Sequence, residues 1–268
     1  MSATPPVVLS IAGFDPSSGA GVTADIKTIA AYGCYGVACI TALTVQSTAG
    51  VKGVHPLPGE LVRRTLDELV ADLPIAAVRV GMLGSEEVAE ALAGFLQARP
   101  LPNVVLDPVL KASSGASLLD EAGVRVLAER LLPLSAVITP NVEEAAVLSG
   151  LPVTQLSHMK AAARRLHELG ATAVVITGGH LPEALDLLSV RAAAGVEQEE
   201  LRAPRVASRS THGTGCAFAT ALACQLALQQ PLRQAVAAAK EFVRAAMAAA
   251  YPLGRGAGPL HHLYRFDK

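Results

Sequence analysis

Apolar and polar positions along the chain fall into a repeating beat. Short β-branched runs at Val7–Gly13, Ala38–Val45, Ala77–Leu83, Val104–Val109, Ala136–Thr139 and Ala173–Thr177 predict strands. Between them, Gly21–Tyr32, Glu60–Asp72, Glu86–Ala98, Glu121–Leu131 and Met159–Leu169 carry the apolar period of helices. Strand–helix alternation with right-handed crossovers builds a mostly parallel central sheet flanked by helices on both faces. After Gly179 the beat breaks. Leu187–Ala193 and Glu200–Val206, joined around Gly195, read as a late antiparallel strand pair, and two Ala-rich helices, Gly215–Leu228 and Leu232–Ala249, close the chain. With no linker, repeat or composition break, the pattern predicts a single α/β domain over 1–268.

Composition sharpens this picture and excludes several functions. Charged residues make up 17% of the 268 positions, against about 25% in an ordinary soluble domain, as expected when strands are buried on both faces. A net charge of −1 with no basic block argues against a nucleic-acid backbone binder. Mean hydropathy is +0.41, yet the most Ala-rich helix carries Lys240, Glu241 and Arg244, so no membrane span is expected. The opening MSATPPVVLS has no signal-type pattern, and cysteines 34, 39, 216 and 224 show no CxxC or framework spacing. A reduced, cytoplasmic enzyme is the expectation.

Open α/β sheets bind ligands beyond the carboxyl ends of their strands, and here those ends are rich in Gly, Pro and polar residues. Gly19-Ala20-Gly21-Val22-Thr23-Ala24 formally fits a dinucleotide fingerprint. It stands five residues past its strand, and Gly36 to Gln46 holds no acidic ribose partner, so that reading is disfavoured. Thr211-His212-Gly213-Thr214-Gly215-Cys216 runs straight into a helix. Such a turn aims successive amides at one point and adds the helix's positive end, a receptacle for an anion. Cys216, in the first turn, is expected to have a pKa below the ordinary thiol value of about 8.5. The competing reading is a plain Gly-rich helix cap. Asp107 and Glu144, at a strand end and in the next helix's first turn, could hold Mg²⁺, which needs only one or two carboxylates beside phosphates. The glutamates there would equally suit the helix dipole alone.

The stretches SIAGFDPSSGAGVTADIKT (10–28), ITALTVQST (40–48), GML (81–83), VLDPV (105–109), ITPNVEEA (138–145), TGGH (177–180), STHGTGCAFATALA (210–223) and GPLHHL (258–263) together resemble the hydroxymethylpyrimidine/phosphomethylpyrimidine kinases of the ribokinase-like superfamily. The resemblance covers nearly the whole chain. It implies ATP-dependent phosphorylation of 4-amino-5-hydroxymethyl-2-methylpyrimidine and then of its monophosphate, in thiamine biosynthesis, by a homodimer. It also implies that Gln46 hydrogen-bonds the aminopyrimidine, with Gly13, Asp25, Met82 and Val109 around the ring. Cys216 would stand where the superfamily carries a catalytic Asp, and Gly213, Thr214 and Gly215 would cradle the moving phosphoryl group. Asp107 and Glu144 match the metal side, and Asn141, Thr177 and Gly179 the ATP side.

Two departures bear on the site. Thr177 stands where many members have Lys, and Lys111 is the candidate replacement cation; Phe14 replaces a common Ser and narrows the pocket mouth. The segment 45–54 is expected to fold over the substrate. Alternatives are a pyridoxal/pyridoxine kinase of the same superfamily and a non-catalytic pyrimidine-binding protein on the same scaffold. A cysteine hydrolase pairing Cys216 with His212 is a weaker one, and His261-His262 lacks a third ligand for a metal.

Overall fold

The structure is a computed structural model and describes residues 4–112, 115–179, 181, 185–193 and 195–267. Nine strands form one sheet in the order β3-β2-β1-β4-β5-β6-β7-β8-β9. These are β1 (Val7–Phe14), β2 (Tyr35–Ser47), β3 (Gly50–Pro56), β4 (Ile75–Val80), β5 (Val104–Leu106), β6 (Val137–Ile138), β7 (Ala173–Ile176), β8 (Leu185–Ala192) and β9 (Gly195–Arg202). From β2 through β7 neighbours run parallel; β3, β8 and β9 pair antiparallel.

Alternate residues of the inner strands enter two separate cores. Leu9, Ile11, Val78, Val80, Leu106 and Val174 meet α2 (Gly59–Asp72), α3 (Glu86–Ala98), α4 (Glu121–Val126), α5 (Val142–Ser149) and α6 (Leu156–Glu168) on one face. Val8, Ala77, Val105, Val137 and Val175 meet α1 (Gly21–Ala31), α7 (Thr214–Ala227) and α8 (Leu232–Ala248) on the other. Both residue parities are apolar, which is why the strands read as unbroken apolar runs. This is the doubly covered, mostly parallel sheet that the beat predicts. Among the described residues no helix is long and apolar enough to cross a membrane.

Three differences have simple causes. The segment 45–54 is not a loop but the turn and second strand of a β2–β3 hairpin; two glycines and an exposed edge position hide β3 from an alternation test. β9 starts at Gly195 rather than Glu200, because an edge strand with Glu197, Glu199 and Glu200 lacks the apolar signal that places strands. β5 and β6 stop at Leu106 and Ile138, leaving Asp107 and Thr139 beyond the ladder. Since β1 is flanked by β2 on one side and β4 on the other, the strand order reverses beside it, and the loops after β1 and β4 part there to form a crevice.

Candidate active site

The loop after β1 is organised by Asp15. Its carboxylate accepts Ser17 N–H at 2.8 Å, Ser17 Oγ–H at 2.7 Å, Gly19 N–H at 3.2 Å, Ala20 N–H at 2.9 Å and His212 Nε2–H at 2.8 Å. Burial would raise its pKa, but the bonds from His212 and Ser17 outweigh that and hold it below the ordinary value. Asp15 thereby ties the first loop to the segment that precedes α7. The Gln46 side-chain amide lies 3.1 Å from the same His212 nitrogen. A carboxylate only accepts, so the Nε2 proton points at Asp15, and the Gln46 side-chain nitrogen stands beside that same ring nitrogen. Gln46 Oε1 stands 3.2 Å from the Thr44 hydroxyl, which also reaches the Phe14 carbonyl oxygen at 3.0 Å. His212 Nε2 is thus committed to Asp15.

His212 is followed by the turn into α7. Gly213 adopts φ +80°, in the left-handed region, with the Gly19 carbonyl directly against it. Only a residue without a side chain fits there. Gly215 is exposed, with nothing within 4 Å of where its side chain would stand, so the first amides of α7 face an opening. Cys216 is half-buried at the base of that opening, accepts the Gly21 N–H, and lies against the Arg79 guanidinium. Burial first, then the charges of Asp107 and Asp25, push its thiol up to about 11 despite Arg79. This corrects the expected lowering: a helix start is outweighed by desolvation and two carboxylates.

Arg79 is the residue that sequence reasoning missed. It is 0% exposed, at the end of central strand β4. Its Nη2 donates to Asp107 Oδ2 at 2.7 Å, and Nη1 stands 3.3 Å from Asp25 Oδ2. Asp25 in turn accepts Ser10 Oγ–H at 2.6 Å and Thr220 Oγ1–H at 2.7 Å and is itself 0% exposed. Asp25 therefore sits beneath the site, where it was expected beside a ring: its oxygens are spent on β1, α7 and Arg79. A signal was present in the sequence, since a lone Arg between Val78 and Val80, with Ala77 and Gly81 on the same strand face, can only be a buried charge with room made for it.

Met82 and Val109 do come together. With Ala42 and Leu118, and with Val51 and Val54 of β3 above them, they form a third, small apolar cluster apart from the two cores. The hairpin covers this wall as the segment 45–54 was expected to cover a substrate. Gly13 adjoins it: a side chain there would start 3.0 Å from Met82 Sδ.

The remaining candidates gather beyond β5 to β7. A hollow of about 300 Å³ is lined by Lys111, Ala112, Asn141, Glu143 and Glu144 among others. Asn141 caps α5, accepting the Glu143 and Glu144 N–H groups, while Glu144 returns a carboxylate oxygen to the Asn141 N–H at 2.9 Å. Burial, with Asp107 nearby, raises Glu144 to about 8; burial raises Asp107 to about 6 against the pull of Arg79. Two buried carboxylates that resist joint ionisation are a donor set that a divalent cation fits. Among the described residues no three His, Cys, Asp or Glu side chains gather as a metal cage. Thr177 pairs with Asn141, its N–H on Pro140 O, and Gly179 is exposed beside them. Gly178 N–H is held by Asp186. His180 of the TGGH stretch lies outside the described residues.

A family model described as phosphomethylpyrimidine kinase matches residues 15–261. The chain belongs to the phosphomethylpyrimidine kinase family. A Streptomyces coelicolor hydroxymethylpyrimidine/phosphomethylpyrimidine kinase is 44% identical over 260 residues, 97% of this chain and 95% of that protein. The thiamine biosynthesis bifunctional protein ThiED of Geobacter sulfurreducens is 45% identical over 258 residues, 96% of this chain, which spans 52% of that longer protein. Among solved structures, an ADP complex of Bacillus subtilis pyridoxal kinase superposes with a TM-score of 0.88 at 33% identity, covering 98% of this chain and 100% of that one. Membership in this family makes the protein an ATP-using phosphotransferase with the ribokinase-like fold. Within that frame, the Asp15–His212–Gln46 chain, the amide opening at 213–216, the Arg79 cluster and the hollow beside Glu144 are the candidate site.

Proposed function

We propose that the protein transfers the γ-phosphoryl group of ATP to the hydroxymethyl oxygen of 4-amino-5-hydroxymethyl-2-methylpyrimidine, and a second one to the resulting monophosphate. The observation that carries this reading is the link from Gln46 through His212 to the turn at Gly213. It joins a group suited to an aminopyrimidine edge to an anion-binding helix start. A primary amide offers one donor and one acceptor, the complement of a ring nitrogen beside an amino group. The Met82–Val109 wall suits a flat ring, since a thioether packs well on aromatics.

In the first transfer the substrate oxygen attacks the γ-phosphorus, the bond from phosphorus to the β,γ-bridging oxygen breaks, and ADP leaves. The hydroxyl proton passes to Cys216 in its thiolate form. The amides of Gly213, Thr214 and Gly215 face the charge that moves with the phosphoryl group, fixed in advance and needing no reorganisation. Lys111, Asn141, Thr177 and Gly179 line the ATP side, with Lys111 supplying the cation that Thr177 lacks. Asp107 and Glu144 would hold Mg²⁺, whose contribution is to neutralise phosphate charge. A homodimer, favoured by exposed Leu43, Val45, Tyr251 and Leu253, and a reducing cytoplasm, favoured by four free thiols, belong to the same reading. Light scattering tests the first.

The deciding experiment is mass analysis of products after incubating the pyrimidine alcohol with ATP and Mg²⁺, which separates mono- from diphosphate. Absence of both products refutes the proposal. Pyridoxal phosphorylation is the second reading, favoured by the superposition on a pyridoxal kinase. A parallel reaction with pyridoxal separates the two.

A further inference from the structure

We propose that Arg79 is a positioning residue for phosphoryl transfer, one guanidinium that sets the metal-side carboxylate Asp107 and the proton-accepting Cys216 in fixed relation. The proposal rests on the kinase reading above. Its physical basis is that stability alone gives no reason for this residue. A fully buried charge in a central strand carries a large desolvation cost, and apolar replacement of buried ion clusters is often neutral or stabilising. Yet the surroundings are built around it. Gly81, two residues on, has no room for a side chain because the guanidinium occupies that space.

The partners of Arg79 come from three different elements. Asp107 follows β5, Asp25 lies on α1 and Cys216 begins α7. A planar fork spreads five donors over three nitrogens toward such partners, whereas an ammonium presents three donors from a single nitrogen. Two of its nitrogens, Nε and Nη1, have no hydrogen bond of good geometry although they are fully buried. The fork therefore has donor capacity in reserve. Asp25, fixed by Ser10 and Thr220, acts as the counter-anchor, and Thr220 Oγ1 also stands 2.7 Å from the Cys216 carbonyl oxygen. Guanidinium, helix start and metal-side carboxylate are thus joined in one network of contacts.

The test compares Arg79→Lys, Asp25→Asn and the double variant Arg79→Met with Asp25→Asn, which removes one charge of each sign. Steady-state kinetics with the pyrimidine alcohol are paired with the rate of Cys216 alkylation by iodoacetamide in nucleotide-free protein, followed by peptide mass. The expected result is a folded double variant whose kcat falls by on the order of 10²-fold while KM for the alcohol stays within about threefold. Cys216 alkylation near pH 8.5 should slow by roughly tenfold. Arg79→Lys should keep the fold and lose about tenfold in kcat, because donors radiating from one nitrogen do not reproduce the planar fork. Asp25→Asn, with the guanidinium still present, should lose less than the double variant. A folded double variant with kcat within about threefold of the parent and unchanged alkylation overturns the proposal. If the double variant does not fold, the same two results in Arg79→Lys overturn it. A parent protein that phosphorylates neither alcohol refutes the kinase reading instead, and the alkylation comparison still decides whether Arg79 governs Cys216.

Discussion

Gly213 and Gly215 stand two residues apart in the same turn, and the structure gives them opposite tolerances. Gly213→Ala places a methyl group at φ +80°, a conformation that costs a residue with a side chain about 1–2 kcal/mol. That methyl would also stand 1.9 Å from the Gly19 carbonyl oxygen, so one of the two loops must retreat by more than 1 Å. Together these give roughly 2–4 kcal/mol, or about 5–10 °C in Tm for a chain of this size. The retreat also displaces the amide opening, and a 1 Å error in such a cradle lowers turnover by on the order of 10²-fold. Gly215→Ala meets nothing within 4 Å and sits in a helical turn. It should leave Tm unchanged or raise it slightly, since Ala favours a helix over Gly by about 0.8–1 kcal/mol. Its methyl nonetheless stands in the opening, so turnover should fall by roughly tenfold or more. Thermal melts and coupled ADP-release kinetics on the two variants measure both quantities. Full turnover in a folded Gly215→Ala protein would refute the placement of phosphoryl transfer at this opening.

Three further outcomes follow from the same geometry. Cys216→Ala should lose turnover by a factor on the order of 10²–10⁴ with little change in KM, and because its thiol is pushed up to about 11, kcat/KM of the parent should climb with pH from 7 toward 9.5; near-parental activity in the variant, or a flat profile, removes Cys216 as the proton acceptor. Gln46→Leu should raise KM for the pyrimidine by leaving its polar edge unpaired, and His212→Phe should do the same through loss of the Asp15 link, with unchanged KM in both counting against the assignment. Buried His262, pushed down to about 3 chiefly by desolvation, titrates near 6.5 when unfolded, so its contribution to stability is complete above pH 6.5 and is lost as pH falls toward 3. This amounts to about 5 kcal/mol at most, and urea midpoints at pH 7.5 and pH 5 should differ in the parent and converge in His262→Gln.

The beat of apolar runs and helical periods was enough to place α1, α2, α3, α7 and α8 within a residue or two and to identify the sheet as mostly parallel. Those elements are long, and each buries one continuous stripe, so local pattern and tertiary burial agree. β3 escaped and β9 was placed too late along the chain, because edge strands are only half covered and need not be apolar. The glycines of the 213–216 turn, Asn141 and Glu144 were legible for a different reason. A turn, a cap or a helix start imposes its residue types locally, and these leave a mark within a few positions.

What a strand-end residue faces is not local. Nothing near Asp25 in the chain says that Ser10, Arg79 and Thr220 will consume its oxygens, and nothing near Cys216 announces two carboxylates and a dry environment that drive its acidity the wrong way. Asp15 and His212 are 197 positions apart, and their bond exists only because β1 and α7 meet at the reversal of strand order. The sequence by itself determined the fold class and the chemical inventory, because short-range periodicity and backbone-demanding turns are written in neighbouring residues. The tertiary structure alone decided charge states and partners, because electrostatic energies depend on burial and on distances between groups that the chain brings together only by folding.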